Sequence, residues 1–108
     1  MSNTVETAKT FLPADAIQYA DGSVVSKMII KKPTGNITLF AFDKGEGLSE
    51  HSAPHEALIQ VLDGKAEIII GGISNKVTTG SCIILPSNIP HAVKANEKFK
   101  MMLTMIKG

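Results

Sequence analysis

The sequence predicts an all-β fold, a sandwich or barrel built from short strands. Runs rich in β-branched residues recur at spacings of about 8–12 residues, with Gly, Pro, Asn and Asp between them. No sustained helical period follows residue 20, and the runs lack the helices of about 10–15 residues that separate strands in a βαβ protein. At 108 residues the chain is one domain, long enough for a single hydrophobic core. Residues 1–20 read as an N-terminal arm of that domain, and 21–108 as the barrel.

The arm comes first. VETAKTFL has the makings of one or two helical turns, stopped near Pro13, which removes a donor and clashes with the preceding turn. A flexible arm and one that packs on a partner subunit suit the sequence equally. From Gly22 the strands begin. VVSKMIIK ends at the turn KPTGN. ITLFAF follows, then DKGEG. ALIQVL runs to Asp63-Gly64, a tight-turn dipeptide. KAEIII runs to Gly71-Gly72. A short KVT precedes Thr79-Gly80, SCIIL stops at Pro86, and HAVKA and FKMMLTMI close the chain.

Alternation gives the facing, because successive side chains in a strand point to opposite sides. Thr38, Phe40 and Phe42 share one face, and Ile37, Leu39 and Ala41 the other. Met101, Leu103 and Met105 share a face opposite Met102, Thr104 and Ile106. Both faces are apolar, so one lines an interior and the other packs on another layer or subunit. Aromatic residues are only 5% of the chain, which leaves the packing to aliphatic side chains.

Charge and cysteine usage exclude several functions. The formal net charge is +1, with no basic stripe for nucleic acid and no acidic tail. All eleven basic residues are lysines, which weighs against a bidentate clamp on phosphate or carboxylate. Cys82 is the single cysteine, so neither an internal disulfide nor a cysteine zinc knuckle can form. Its place in the apolar run SCIIL predicts a buried, inert thiol. MSNTVETAKTF is not a secretory leader, and no apolar run approaches the ~20 residues that span a bilayer. A cytoplasmic protein is expected, with no membrane partner.

The candidate chemistry rests on His51, in GLSEHSAPHEALIQVLDG, and His91, in GSCIILPSNIPH. Two neutral imidazoles from separate β segments can meet inside a barrel and hold a metal. HSAPH spaces His51 and His55 as zinc proteases do, but Pro54 breaks the required helix and Ser52 replaces the required Glu. No nucleophile elbow, P-loop or dinucleotide fingerprint is present.

The stretch from Gly47 to Ala95 resembles the paired motifs of the cupin family. Gly45 (or Gly47), His51 and Gly64 fall at the glycine, first histidine and closing glycine of the first motif. Gly80, Pro86 and His91 fall at the glycine, proline and histidine of the second. The resemblance implies a cupin-type jelly roll, or double-stranded β-helix, with the histidines pointing inward at one mouth. It implies a divalent metal, with zinc, manganese, iron and nickel indistinguishable, and a homodimer. Four motif positions depart: Ala53 replaces the second histidine, Ala57 the acidic ligand, Asn88 the second motif's glycine and Ala95 its asparagine. The family's four ligands are thus reduced to His51 and His91.

A metal site would need a recruited third donor. His55 is the first candidate, sharing a strand face with Ala53 and Ala57 if the chain stays extended, although a solvent-exposed loop position competes with this. Gln60 is the second, through its amide oxygen. Alternation sends Glu50 outward. Thr38, Phe40, Phe42, Leu103 and Met105 would line the pocket. Two functions compete: a small-molecule cupin with a divalent metal on His51 and His91, and a metal-free ligand-binding or sensor cupin without catalysis. A metal-free isomerase or epimerase using a histidine base ranks below both.

Overall fold

The computed structural model describes residues 5–107. It contains nine strands: β1 (Val24–Lys32), β2 (Gly35–Phe42), β3 (Gly47–His51), β4 (Glu56–Asp63), β5 (Lys65–Ile70), β6 (Ile73–Thr78), β7 (Cys82–Leu85), β8 (His91–Lys94) and β9 (Phe99–Ile106). They form two antiparallel sheets. One has the order β1-β2-β9-β4-β7, the other β3-β8-β5-β6. The two sheets enclose one core, giving the jelly-roll sandwich that the alternation predicted.

The core is the inward face of both sheets. Phe42, Ile59, Val61 and Met101 from the larger sheet meet Ala66, Ile68, Val77 and Val93 from the smaller. Phe42 stacks on Phe99 with ring centroids 4.7 Å apart, and Phe40 stacks on Phe42 at 5.8 Å. Both members of the first pair are 0% exposed, so these rings seal one end of the sandwich. Offset stacking adds about 0.5–1.5 kcal/mol per pair beyond the area buried.

Two turns illustrate how local chemistry sets the topology. Gly71 and Gly72, at φ +56° and +82°, join Ile70 to its cross-strand partner Ile73. Both central residues take positive φ, the geometry of a two-residue hairpin turn. Asp63-Gly64 also turns the chain, with Gly64 at φ +78°, but it makes no hairpin. β4 and β5 lie in different sheets, so this turn is the corner where the chain crosses between layers.

The outer face of the larger sheet carries a second, smaller core. Ile17, Leu39 and Ala41 are buried there, with Tyr19, Leu62 and Met102 against them. The N-terminal arm therefore packs on its own barrel. Lys100 Nζ donates to Ala14 O at 2.6 Å, Lys27 Nζ to Ala16 O, and Tyr19 Oη to Asp63 Oδ2 at 2.6 Å. Lys98 and Lys100 also stand 4.8 and 5.0 Å from the Tyr19 ring centroid. Burial and the Asp63 carboxylate push the Tyr19 phenol well above its usual range.

Three sequence expectations need correction. VETAKTFL forms no helix over its described residues; a single 3₁₀ turn spans Pro13–Asp15. Proline opens that turn rather than stopping a helix, since its fixed φ suits a first helical position. GLSEH is a strand, missed because it carries no β-branched residue. Cys82 is exposed. In β7 it is Ile83 and Leu85 that pack on the inner core, which turns Cys82 and Ile84 outward.

Gly64 and Gly72 allow a controlled test of the corner. A Cβ on Gly64 would lie 2.4 Å from Lys98 O, whereas one on Gly72 would meet nothing within 4 Å. Both positions have positive φ, so both alanine variants pay the left-handed strain of about 1 kcal/mol. Gly64→Ala should lose a further ~2 kcal/mol or more because backbone must move. Urea unfolding midpoints of the two variants measure the difference.

Candidate functional site

Both histidines reach the interior by local backbone devices. His91 opens β8, and Val93 and Ala95 follow it inward at alternate positions, both buried. His51 closes β3. The pairing runs Leu48↔Val93, then His51↔His91, with an irregularity between. Three residues of β3 thus oppose two of β8. This bulge turns His51 to the inner face, where plain alternation from Leu48 would have put Glu50.

The loop that follows β3 is tied to the loop that precedes β8. Asn88 N–H donates to Ala53 O at 2.7 Å, and Gly71 N–H donates to Pro90 O at 2.8 Å. Asn88 takes φ +65°. That conformation explains the glycine usual at this motif position, and asparagine is the side chain that best tolerates it.

The two rings meet edge to face, with centroids 4.4 Å apart and planes at 67°. His51 Nδ1 lies 2.8 Å from Ser49 O, and His91 Nδ1 lies 3.3 Å from Ile89 O. A carbonyl only accepts, so each Nδ1 carries a proton, and a ring in its neutral form keeps a free acceptor at Nε2. His51 is exposed, while His91 is 8% exposed. Burial is the main force holding the His91 pKa below the ordinary imidazole value; the bond to Ile89 opposes it, and the charge on His51 adds to it. His91 is therefore neutral at pH 7.

The inner face that continues from the pair is apolar. Ala57 pairs with Met105 and with Leu85, and Ile70 stands opposite His91 across β5 and β8. Phe40, Leu48, Ile70, Ile83, Leu103 and Met105 are half-buried on the inner core. Thr38 is nearly buried and donates to Asn36 Oδ1 at 3.4 Å. Of the residues expected to line a pocket, Thr38, Phe40, Leu103 and Met105 share this inward face. Phe42 shares it too, but it is the floor rather than the lining. Leu48, Ile70 and Ile83 were missed; counting forward by twos along KAEIII from Ala66, through Ile68, would have found Ile70.

His55 and Gln60 do not join the pair. His55 follows Pro54 in a bend and borders a hollow of about 240 Å³ with Glu56, Ser87 and Ile106. Glu56 and Ile106 are cross-strand partners on the outer face. Pro54 breaks the extended run on which the parity of His55 depended. Gln60 lies opposite Met102 and Cys82, outside the barrel. Ala57 points in, and an odd step of three residues leaves Gln60 pointing out.

This donor set does not fit a resident divalent metal. Catalytic centres use about three protein ligands and structural ones about four. Among the described residues no three His, Cys, Asp or Glu side chains cluster closely enough to hold an ion. The acidic ligand's position is Ala57, buried at the wall.

Comparison with known proteins agrees with the fold and leaves the chemistry open. The family model described as the cupin domain matches residues 38–107. A conserved protein of unknown function from Streptococcus pyogenes is 33% identical, with a TM-score of 0.92 over 96% of this chain and 91% of that one. A cupin 2 conserved barrel domain protein from Leptotrichia buccalis is 43% identical, with a TM-score of 0.85 over 87% of this chain and 46% of that longer one. A cupin superfamily protein from Desulfitobacterium hafniense shares the fold, with a TM-score of 0.90 at 22% identity. Among curated proteins none matches. With both motif histidines paired at one mouth of the sandwich and the family model covering most of the chain, this protein belongs to the cupin family.

Proposed function

We propose that this cupin binds a small organic molecule at the His51–His91 mouth without a resident metal. The observation that carries the reading is the orientation of the two rings. Each Nδ1 is committed to a backbone carbonyl, which leaves Nε2 of each ring, in its neutral form, as an acceptor beside apolar side chains. Such a site suits an apolar body carrying one or two hydrogen-bond donors, a small number of polar groups fixing the pose of a mostly apolar ligand. The same reading places the protein in the cytoplasm, where an exposed thiol such as Cys82 stays reduced.

Phenol, catechol and short aliphatic alcohols are suitable probes. Binding should shift the methyl signal of Met105 in ¹H–¹³C spectra and raise the melting temperature. His91→Ala should weaken the tightest probe by about tenfold, the cost of one lost hydrogen bond in a half-buried site. Probes that move neither Met105 nor the melting temperature would sink the proposal.

Metal dependence has its own test. Chelator treatment should leave the melting temperature unchanged, and added divalent ions should raise it by less than a few degrees. A larger rise with any ion at stoichiometric amounts would contradict a metal-free mouth.

Stability should respond to pH through His91. Its folded pKa lies below the unfolded value of about 6.5. Between those two values the unfolded chain binds more protons. Stability therefore falls as pH drops through that window, levels off below the folded pKa, and shows no His91 dependence above about 6.5. Urea midpoints at about pH 7.5 and 5 measure the loss, and His91→Gln should reduce it.

A further inference from the structure

The smaller sheet turns a polar face outward, and a network of side chains orders one end of it. Glu67 stands at the centre, opposite Lys76 on β6 and Lys94 on β8. Ser74 Oγ donates to Glu67 Oε2 at 2.6 Å, and Asn96 Nδ2 donates to Oε1 at 2.8 Å. Those two bonds, more than the neighbouring lysines, hold the Glu67 carboxyl below its usual range. Neutral donors thus engage both oxygens. Lys76 Nζ lies 3.8 Å from Oε1, beyond hydrogen-bond distance, so its protons remain for another acceptor.

Beside this network is a hollow of about 410 Å³, bordered by Lys65, Ala66, Lys76, Thr78, Asn96 and Glu97. Small-molecule sites typically span about 300–1,000 Å³. Lys65 pairs directly with Thr78, and Lys76 precedes Thr78 by two on the same face. The two lysines are therefore diagonal neighbours, about 7–8 Å apart at the backbone, and their long stems can bring both ammonium groups onto one anion. Among the described residues Lys65 makes no ion pair. Ala66 belongs to the inner core, so what it presents to the hollow is backbone. The histidine mouth is elsewhere: His91 pairs with Ile70 at the other end of β5, on the opposite face of the sheet.

We infer that this hollow binds the phosphate monoester of a small polyol, with Lys65 and Lys76 on the phosphate. A phosphate is well served by point charges, whereas a planar carboxylate is matched best by the guanidinium fork; all eleven basic residues of this chain are lysines. The other groups suit a hydroxylated body. The Thr78 hydroxyl donates and accepts, the second Nδ2 proton of Asn96 donates, and the Glu97 carboxylate accepts from hydroxyl groups. No aromatic ring borders the hollow, so polar contacts rather than stacking hold the body. Glu97 also repels further negative charge, which favours one phosphate over a diphosphate.

Backbone ¹H–¹⁵N titration of the full chain with glycerol 3-phosphate tests the inference, at about 20 mM salt, where exposed charges are little screened. Saturable shifts should appear at Lys65, Ala66, Thr78 and Glu97. The Met105 methyl should stay still, which scores this site apart from the mouth. Lys65→Gln and Lys76→Gln should each weaken binding by about fivefold, the scale of one exposed charge pair, with far-UV circular dichroism unchanged. Glycerol should not bind, and inorganic phosphate and glycerate should bind more weakly than the monoester. Glu97→Gln should narrow the preference for the monoester over inorganic phosphate. Absence of saturable shifts at the hollow overturns the inference, as does binding that both lysine variants leave intact. Glycerate or inorganic phosphate binding as tightly as glycerol 3-phosphate overturns the choice of a phosphate monoester.

Discussion

The two-residue period of the β pleat decides where every functional side chain of this protein ends up. Ala57, Ile59 and Val61 point into the barrel because they sit two apart; Gln60, one step out of phase, points away from it. His91, Val93 and Ala95 obey the same count on the facing sheet. His51 would break it, and the extra residue in β3 restores it. A single inserted residue thus sets the partner of His91: an imidazole instead of the Glu50 carboxylate. Buried beside a carboxylate, His91 would be drawn toward its charged form. Beside His51 it stays neutral.

Much of the fold was legible because its strands are short and strongly patterned. The facing of ITLFAF and KMMLTMI followed from alternation alone, and the inward rows of β2 and β9 match it. What escaped was set by tertiary context. GLSEH has no intrinsic strand signal; it is extended because β8 offers it a hydrogen-bonding edge. Asp63-Gly64 looks like a hairpin turn locally, and only the layer assignment of the strands on either side makes it a corner. Cys82 lies in an apolar run, but its strand is the edge of a sheet whose outer face is partly bare.

The site was legible to the extent that it follows the strand count. His51 and His91 were found from their places beside glycine-bounded runs, and they do meet. His55 and Gln60 stay away from the pair for two separate reasons. Pro54 takes His55 out of an extended strand, which no periodicity argument can follow through a bend. Gln60 is an odd step from Ala57 in the sequence itself, so its amide points away from the pair. The alanines at 53 and 57 carried the more useful message. A wall that holds methyl groups where a carboxylate would stand is apolar, and an apolar wall favours neutral guests.

The hydrogen bond from Asn88 to Ala53 joins the two segments that carry the histidines. One segment leads from His51 into β4, the other from β7 into His91, so neither can swing without the other. The backbone segments that carry the two rings, 4.4 Å apart, are thus held to each other by the chain itself. A ligand entering this mouth gives up its own freedom of motion but orders little of the protein. The conformational entropy lost on binding is small, and a guest with modest contacts can still be held.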